Sequence, residues 1–152
     1  GEDLDRAAVL HLNALHEAET SPLDPSALDA LLCAAFHVGH IDGGRSAFLI
    51  AFDETASYTS PNFLWFRDRE RRFVYIDRVI VSALARGRGL ARRLYAQLAA
   101  VARSAGHDRL VCEVNLDPPN PASLAFHERL GFVAVGEALA KGKRVQYLRL
   151  TL

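Results

Sequence analysis

The run Arg86-Gly87-Arg88-Gly89-Leu90-Ala91 has residue types and spacing suited to holding a phosphate. A β-branched run from Val74 to Val81 precedes it and an amphipathic stretch begins directly after it, so it reads as a loop between a strand and a helix. The first turn of a helix leaves its N–H groups without intrahelical partners, and the helix dipole favours an anion there. Gly87 and Gly89 remove the Cβ atoms that would block close approach of the backbone to a ligand. Arg86, Arg88, Arg92 and Arg93 add positive charge at the same end. The expected ligand is a phosphate or pyrophosphate.

Spacing narrows the choice. A Walker loop needs Gly-Lys followed by Ser or Thr, and that triplet does not occur. The dinucleotide fingerprint needs Gly or Ala three residues after its second glycine, where Arg92 stands. About 60 residues follow Ala91, too few for the further βα units of such a domain. A nicotinamide or flavin is therefore not expected. Two carboxylates on strand-like segments have the chemistry of bases. By simple alternation Asp77 shares a face with Tyr75, Val79 and Val81, where a lone carboxylate is costly unless paired. Arg78 then points to the opposite face, so Asp77 reads as a reactive group or as half of an ion pair with a more distant arginine. Glu113 shares a face with Val111 and Asn115, and reads as a partner for Arg78 or as a second base acting through water.

The glycine loop has a second match. Arg86, Gly89 and Ala91 fit a pattern of Arg or Gln, two residues, Gly, one residue, then Gly or Ala. In this it resembles the acyl-CoA-binding loop of the GNAT N-acetyltransferase superfamily. The segment Asn120-Pro-Ala-Ser-Leu-Ala-Phe-His-Glu-Arg-Leu-Gly131-Phe132 resembles that family's second signature, an Asn-led helix ending at Leu-Gly-Phe before a strand. The two signatures stand in the family's order about 30 residues apart, and together they cover roughly residues 74–140. The resemblance implies acetyl-CoA as donor and direct attack of an amine on the acetyl thioester, without a covalent enzyme intermediate. A non-catalytic acyl-CoA-binding module and an enzyme using a longer acyl-CoA are the alternatives on the same scaffold.

Carried over by position, the cofactor site takes backbone groups of Val79, Ile80 and Val81 at a strand bulge, and Arg86, Gly87, Arg88, Gly89, Leu90, Ala91 and Arg92 at the phosphates. Asn120 and Ser123 stand where family members contact the cofactor, although Asn120 also has a sufficient role as a helix cap. Asp77 matches the acidic residue that in some members binds or deprotonates the amine. His127 occupies the place of a tyrosine that commonly protonates the leaving thiolate, and an imidazole can donate that proton near neutral pH. It reads equally as a core histidine or a cofactor contact, with another group such as Tyr95 donating.

For the acceptor, Tyr58-Thr-Ser-Pro-Asn-Phe-Leu-Trp-Phe66 gathers aromatics with Ser60 and Asn62 in what reads as a long loop or insertion over Tyr58–Arg71. Tyr58, Asn62, Trp65 and Tyr75 are the expected contacts, with an aromatic plug at a sheet edge as the structural alternative. The expected acceptors are small primary amines such as amino-acid derivatives, polyamines or amino sugars, with a protein N-terminus or lysine as further options.

These groups must be positioned by one domain of 152 residues, long enough to bury a real core. Periodicity predicts a helix over residues 4–19 and a second one capped by Asp24 with Pro25 at its first position. Strands follow at His37–Ile41 and Ala47–Phe52, joined by the turn Asp42-Gly43-Gly44. Val74–Val81 is the expected central strand, followed by a helix with a stripe of Leu90, Leu94, Leu98, Val101 and Ala105 that ends at Gly106. Leu110–Asn115 should run parallel to the central strand, and after the Asn120 helix Phe132–Val135 and Val145–Leu152 complete an α+β mixed sheet. The order is similar to the GNAT fold, in which two parallel central strands splay apart and about four helices flank the sheet.

Composition bounds the rest. Lys+Arg and Asp+Glu number 18 each, a balance that argues against a nucleic-acid or anionic-membrane partner. No apolar run reaches the ~18 residues of a membrane span. No signal peptide is visible, Gly1 reads as a tag remnant, and Cys33 and Cys112 read as reduced thiols of a cytoplasmic protein. His11, His16, His37, His40 and His107 show no metal-ligand spacing, so no metal is expected. The apolar C-terminal strand points to a possible homodimer through a sheet edge.

Overall fold

The computed structural model describes residues 3–17, 20–140 and 142–152. Five α-helices and six strands follow in the order α1 (Arg6–Ala14), α2 (Pro25–Ala34), β1 (His37–Ile41), β2 (Ala47–Asp53), α3 (Pro61–Arg67), β3 (Val74–Val81), α4 (Leu90–Ser104), β4 (Arg109–Asp117), α5 (Pro121–Leu130), β5 (Val133–Ala140) and β6 (Lys143–Thr151). Local chemistry sets most helix ends. Asp5, Asp24 and Asn120 each accept a hydrogen bond from a first-turn N–H, and prolines follow directly in α2 and α5. Gly131 closes α5 at φ 101°, a left-handed conformation that favours glycine.

The sheet order is β1-β2-β3-β4-β6-β5, and β3 and β4 are its parallel neighbours. Helices cover both faces. On one, Val9, Leu12, Leu28, Phe63 and Phe66 of α1–α3 pack on Phe48, Phe52, Tyr75 and Tyr147. On the other, Leu94, Leu98 and Ala102 of α4 pack with Leu124 and Phe126 of α5 on Leu49, Ile76, Cys112 and Leu148.

Several boundaries depart from the sequence reading. The segment Tyr58–Arg71 is not a plain loop, because Pro61 starts α3 and Phe63 and Phe66, three apart, both turn into the core. Helix α1 stops at Ala14 and Leu15 is exposed, while Gly1, Ala18 and Glu19 lie outside the described residues. In α4 the buried stripe is Leu90, Leu94, Tyr95, Leu98, Ala99 and Ala102, with Val101 outside it, since the sheet covers a wider arc than a single row. Strand β6 lies between β4 and β5, so the C-terminal strand has no open edge for a dimer and that argument falls.

Two irregularities shape the site. Strands β3 and β4 pair only at Val74–Leu110 and Tyr75–Val111, then part. Opposite the parting, the β2–β3 register slips: Ile50 faces Arg78 while Ala51 faces Ile76, which leaves Asp77 as an extra residue without a β2 partner. The bulge therefore falls at Asp77 instead of at Val79–Val81. Beyond it the alternation reverses, so Tyr75 and Ile80 belong to the α1–α3 face while Val79 and Val81 face α4 and α5.

Candidate active site

The turn from β3 to α4 is built as the spacing requires. Gly87 and Gly89 adopt φ of 80° and 70°, and a Cβ at either would meet nothing within 4 Å, so both open onto free space. Side chains and backbone of Val81, Arg86, Gly87, Gly89, Leu90, Ala91 and Arg92 line that space with Phe126 and Arg129 of α5. It continues into a groove of about 650 Å³ walled by Val79, Ile80, Val81, Arg86, Ala91, Asn120, Ser123 and His127. The first residues of α4, Leu90, Ala91 and Arg92, line the space at the loop, and no side chain caps the helix start. Of the expected cofactor contacts only Arg88 lies apart, its Nε 3.5 Å from the Ala85 carbonyl.

The groove runs into the gap between the parted strands. Thr20, Val79, Asn120, Ser123 and His127 line both the groove and the gap, where Asp77, Tyr95, Cys112, Glu113 and Asn115 join them. The gap opens in turn into a cavity of about 110 Å³ on the α1–α3 side, which shares Asp77, Arg78, Glu113 and Asn115 and adds Tyr58, Asn62 and Tyr75. Through these shared lining residues groove, gap and cavity adjoin one another in a line across the sheet, here called the passage.

Asp77 sits at the centre of that passage. Its Oδ1 accepts from the Tyr58 hydroxyl, and its Oδ2 accepts from Arg78 Nε at 2.7 Å. The ion pair with the adjacent arginine corrects the alternation argument: the bulge turns neighbouring side chains toward one another. Arg78, 5 % exposed, also donates to Asn13 Oδ1 at 2.9 Å, to the Ser21 carbonyl at 3.1 Å and to Ser21 Oγ at 2.8 Å. It thereby straps the α1–α2 connection to β3. Glu113 accepts from the Tyr75 hydroxyl at 2.7 Å instead of pairing with Arg78. Burial, reinforced by Asp77 in one case and Glu113 in the other, pushes the Tyr58 and Tyr75 hydroxyls far above the ordinary phenol range, so both stay protonated donors.

On the opposite side of the gap, His127 is 5 % exposed. Its Nδ1 lies 2.7 Å from the Ser123 carbonyl and its Nε2 lies 2.8 Å from Tyr95 Oη. Burial holds its pKa below the ordinary histidine value, partly offset by the Ser123 carbonyl. Burial also raises the Tyr95 hydroxyl and the neighbouring Cys112 thiol. Asn120 caps α5 through Ser123 N at 3.2 Å and also lines the groove.

Trp65 is the expected acceptor contact that the fold takes elsewhere. It stacks on Tyr147 with ring centroids 4.1 Å apart, and Arg69 lies over the ring at 4.1 Å. Gly136 makes room for it, since a Cβ there would stand 2.5 Å from Trp65 Cζ2. Residues the sequence reading passed over include His16, which lines the groove with its Nε2 3.4 Å from Arg86 Nη2, and Asn13 and Ser21, which hold Arg78. Buried Asn13 on the otherwise apolar stripe of Val9 and Leu12 was the available signal. Away from the passage, Asp53, Glu54 and His107 bring ligand-type atoms within 4.8 Å of one another, a proximity that no sequence spacing reveals. Arg72 Nε stands 3.8 Å from Glu54 Oε1 and supplies positive charge there.

The fold has close counterparts among solved structures. The chain superimposes on yncA from Salmonella typhimurium, solved with its cofactor acetyl-CoA, with a TM-score of 0.68 at 20% identity, covering 99% of this chain and 92% of that one. Ard1 from Thermoplasma volcanium gives 0.73 at 13% identity over 99% and 95% of the two chains. The ribosomal-protein-S18-alanine N-acetyltransferase of Escherichia coli gives 0.67 at 16% identity over 99% and 91%. No curated protein matches the sequence. Residues 12–132 match the Acetyltransferase (GNAT) family, and with the glycine loop, the parted strands and the Asn120 helix in place the chain belongs to that family of acetyl-CoA-dependent acyltransferases.

Proposed function

We propose that the protein transfers an acetyl group from acetyl-CoA to a primary amine of a small molecule, held in the cavity beside Asp77 and Glu113. The observation that carries this reading is the succession of the glycine-loop groove, the gap between the parted strands and a cavity lined by two carboxylates, each sharing lining residues with the next. An amine reaches neutral water mostly as ammonium, and carboxylates at the cavity floor favour its entry and accept its proton. Tyr58 and Tyr75, kept protonated, orient those carboxylates by donating to them. Bound in the groove, acetyl-CoA supplies an acetyl thioester. Parting of β3 from β4 frees backbone groups of Val79–Val81 to hydrogen-bond a ligand there, in the manner of an added strand. His127 stands at the groove end of the gap, on the side from which the sulfur departs.

The cavity is small and polar, which favours a compact amine head. The E. coli neighbour acts on an alanine of ribosomal protein S18, so peptide N-termini belong in the same screen. Both cysteines are free, consistent with action in the reducing cytoplasm. No described helix is long and apolar enough to cross a membrane.

Isothermal titration with CoA and acetyl-CoA, followed by a thiol-release screen of amino-acid derivatives, polyamines, amino sugars and N-terminal peptides, tests the proposal. Binding with turnover on a small amine supports it; turnover on peptides alone replaces the acceptor class. Absence of CoA binding by the folded protein would overturn it.

A further inference from the structure

We infer that Tyr95, oriented by His127, is the group that gives the departing sulfur its proton, and that His127 is a positioning residue. The inference rests on the acetyl-transfer reading above. Hydrogen-bond direction carries it. A carbonyl oxygen only accepts, so the Ser123 carbonyl 2.7 Å from His127 Nδ1 places the ring hydrogen on Nδ1. In the neutral ring Nε2 is then a bare acceptor, and Tyr95 Oη at 2.8 Å must donate to it. Burial of the ring favours that neutral form. His127 so arranged has no hydrogen on the nitrogen facing Tyr95, and its other one is bonded within α5.

Tyr95 and Cys112 carry the remaining acidic hydrogens of the gap, and Tyr95 is the one whose oxygen meets His127. The phenol is 4 % exposed and clamped edge-on between Phe126 and Phe132, with centroids 5.3 and 6.1 Å away, so its oxygen is fixed while its O–H can rotate. Asp77 and Arg78 from β3, Cys112 and Glu113 from β4, and His127 from α5 are the titratable or charged groups lining the same gap. A departing sulfur carries negative charge, and a charged acceptor outcompetes a neutral imidazole for a single hydrogen. As the amine nitrogen bonds to the acetyl carbon, the carbon–sulfur bond breaks and its electron pair leaves with sulfur. The Tyr95 hydrogen passes to sulfur as a proton, giving the thiol and a tyrosinate. The proton shed by the amine leaves through the Asp77 side to water, and water restores the tyrosine. Burial disfavours the tyrosinate, and by the same cause a thiolate in the gap, as the raised Cys112 thiol indicates.

The test uses CoA itself and needs no acceptor. The ultraviolet absorbance of the thiolate is followed against pH for CoA bound to wild type, Tyr95→Phe and His127→Phe, after titration has established saturation. A hydroxyl that donates to sulfur stabilises the thiolate, so Tyr95→Phe should weaken the bound thiol's acid constant at least about tenfold. Affinity for acetyl-CoA, whose sulfur carries no charge, should change less than about twofold. His127→Phe should give a smaller change, because the hydroxyl remains but is no longer aimed. Should Tyr95→Phe not fold, 3-fluorotyrosine at position 95 keeps the ring and strengthens the donor, and should move the acid constant the opposite way. An acid constant equal in wild type and Tyr95→Phe overturns the inference, as does a full effect in His127→Phe with none in Tyr95→Phe. Failure of wild type to bind CoA is read first and removes the acetyl-transfer reading, and this inference with it.

Discussion

On the α1–α3 side of the parted strands, Tyr58 and Tyr75 give their hydroxyl hydrogens to the carboxylates of Asp77 and Glu113; on the α4–α5 side, Tyr95 gives its hydrogen to the neutral ring of His127. The same side chain thus serves two electrostatic settings on the two sides of the gap. Carboxylates with donors behind them favour a cation, which is what an incoming amine is. A phenol on a neutral base is free to turn to an anion, which is what a departing sulfur becomes. Arg78 balances the charge of Asp77 on the first side, since the two pair inside the protein. Under the proposed reaction this asymmetry suits the amine to one side and the departing sulfur to the other.

The largest effect should come from closing the passage before the two sides meet. Gly89→Trp places a bulky side chain in the open space of the loop and forces it into a left-handed backbone, so titration should detect no CoA binding while circular dichroism stays unchanged. Next come the carboxylates. Asp77→Asn should lower kcat by about 10²- to 10⁴-fold on the best amine of the screen with the KM for acetyl-CoA unaltered, and Glu113→Gln should fall short of it if Asp77 is the principal base. A larger loss at Glu113 would exchange their roles.

Arg78→Ala attacks the compensation itself. It leaves Asp77 buried without its cation and releases Asn13 and Ser21, and denaturant unfolding should show a loss of about 3–5 kcal/mol. Gly136→Ala should cost about 1–3 kcal/mol by overpacking against Trp65, with KM for the amine unchanged. A changed KM would return Trp65 to the acceptor site. The smallest effect is on the donor side. Burial holds the folded-state pKa of His127 below its ordinary value, so the unfolded chain takes up the proton first as pH falls. Stability present above about pH 6.5 is lost as pH falls through the folded-state value. His127→Gln should therefore flatten the fall in melting temperature between about pH 7 and 5. His37, also lowered by burial, should keep part of that slope.

Much of this arrangement is legible before any coordinates. Caps at Asp24 and Asn120, the hairpin at Asp42–Gly44, the central β3 strand and the glycine loop all rest on contacts within a few residues, where spacing is informative. Helix α3 was not legible, because Phe63 and Phe66 give only one i,i+3 pair in a segment of seven residues. Nor was the Asp77–Arg78 pair, because alternation assumes an unbroken ladder and one extra residue reverses it. Trp65 reads as a ligand contact from composition alone, and the missing side chain of Gly136, seventy-one residues later, is what seats it in the sheet face.

By itself the sequence determined the order of strands and helices apart from α3, the glycine-rich turn and the residue types available to the reaction, since each depends on near neighbours along the chain. Tertiary structure decided which of those residues meet. Parting of β3 from β4, the slip at Asp77, the strap from Arg78 to Asn13 and Ser21, and the bond from Tyr95 to His127 all join segments distant in sequence or break a local rule. Their geometry is set by how the two helical layers close on the sheet, and packing of that kind leaves no periodic trace in the chain.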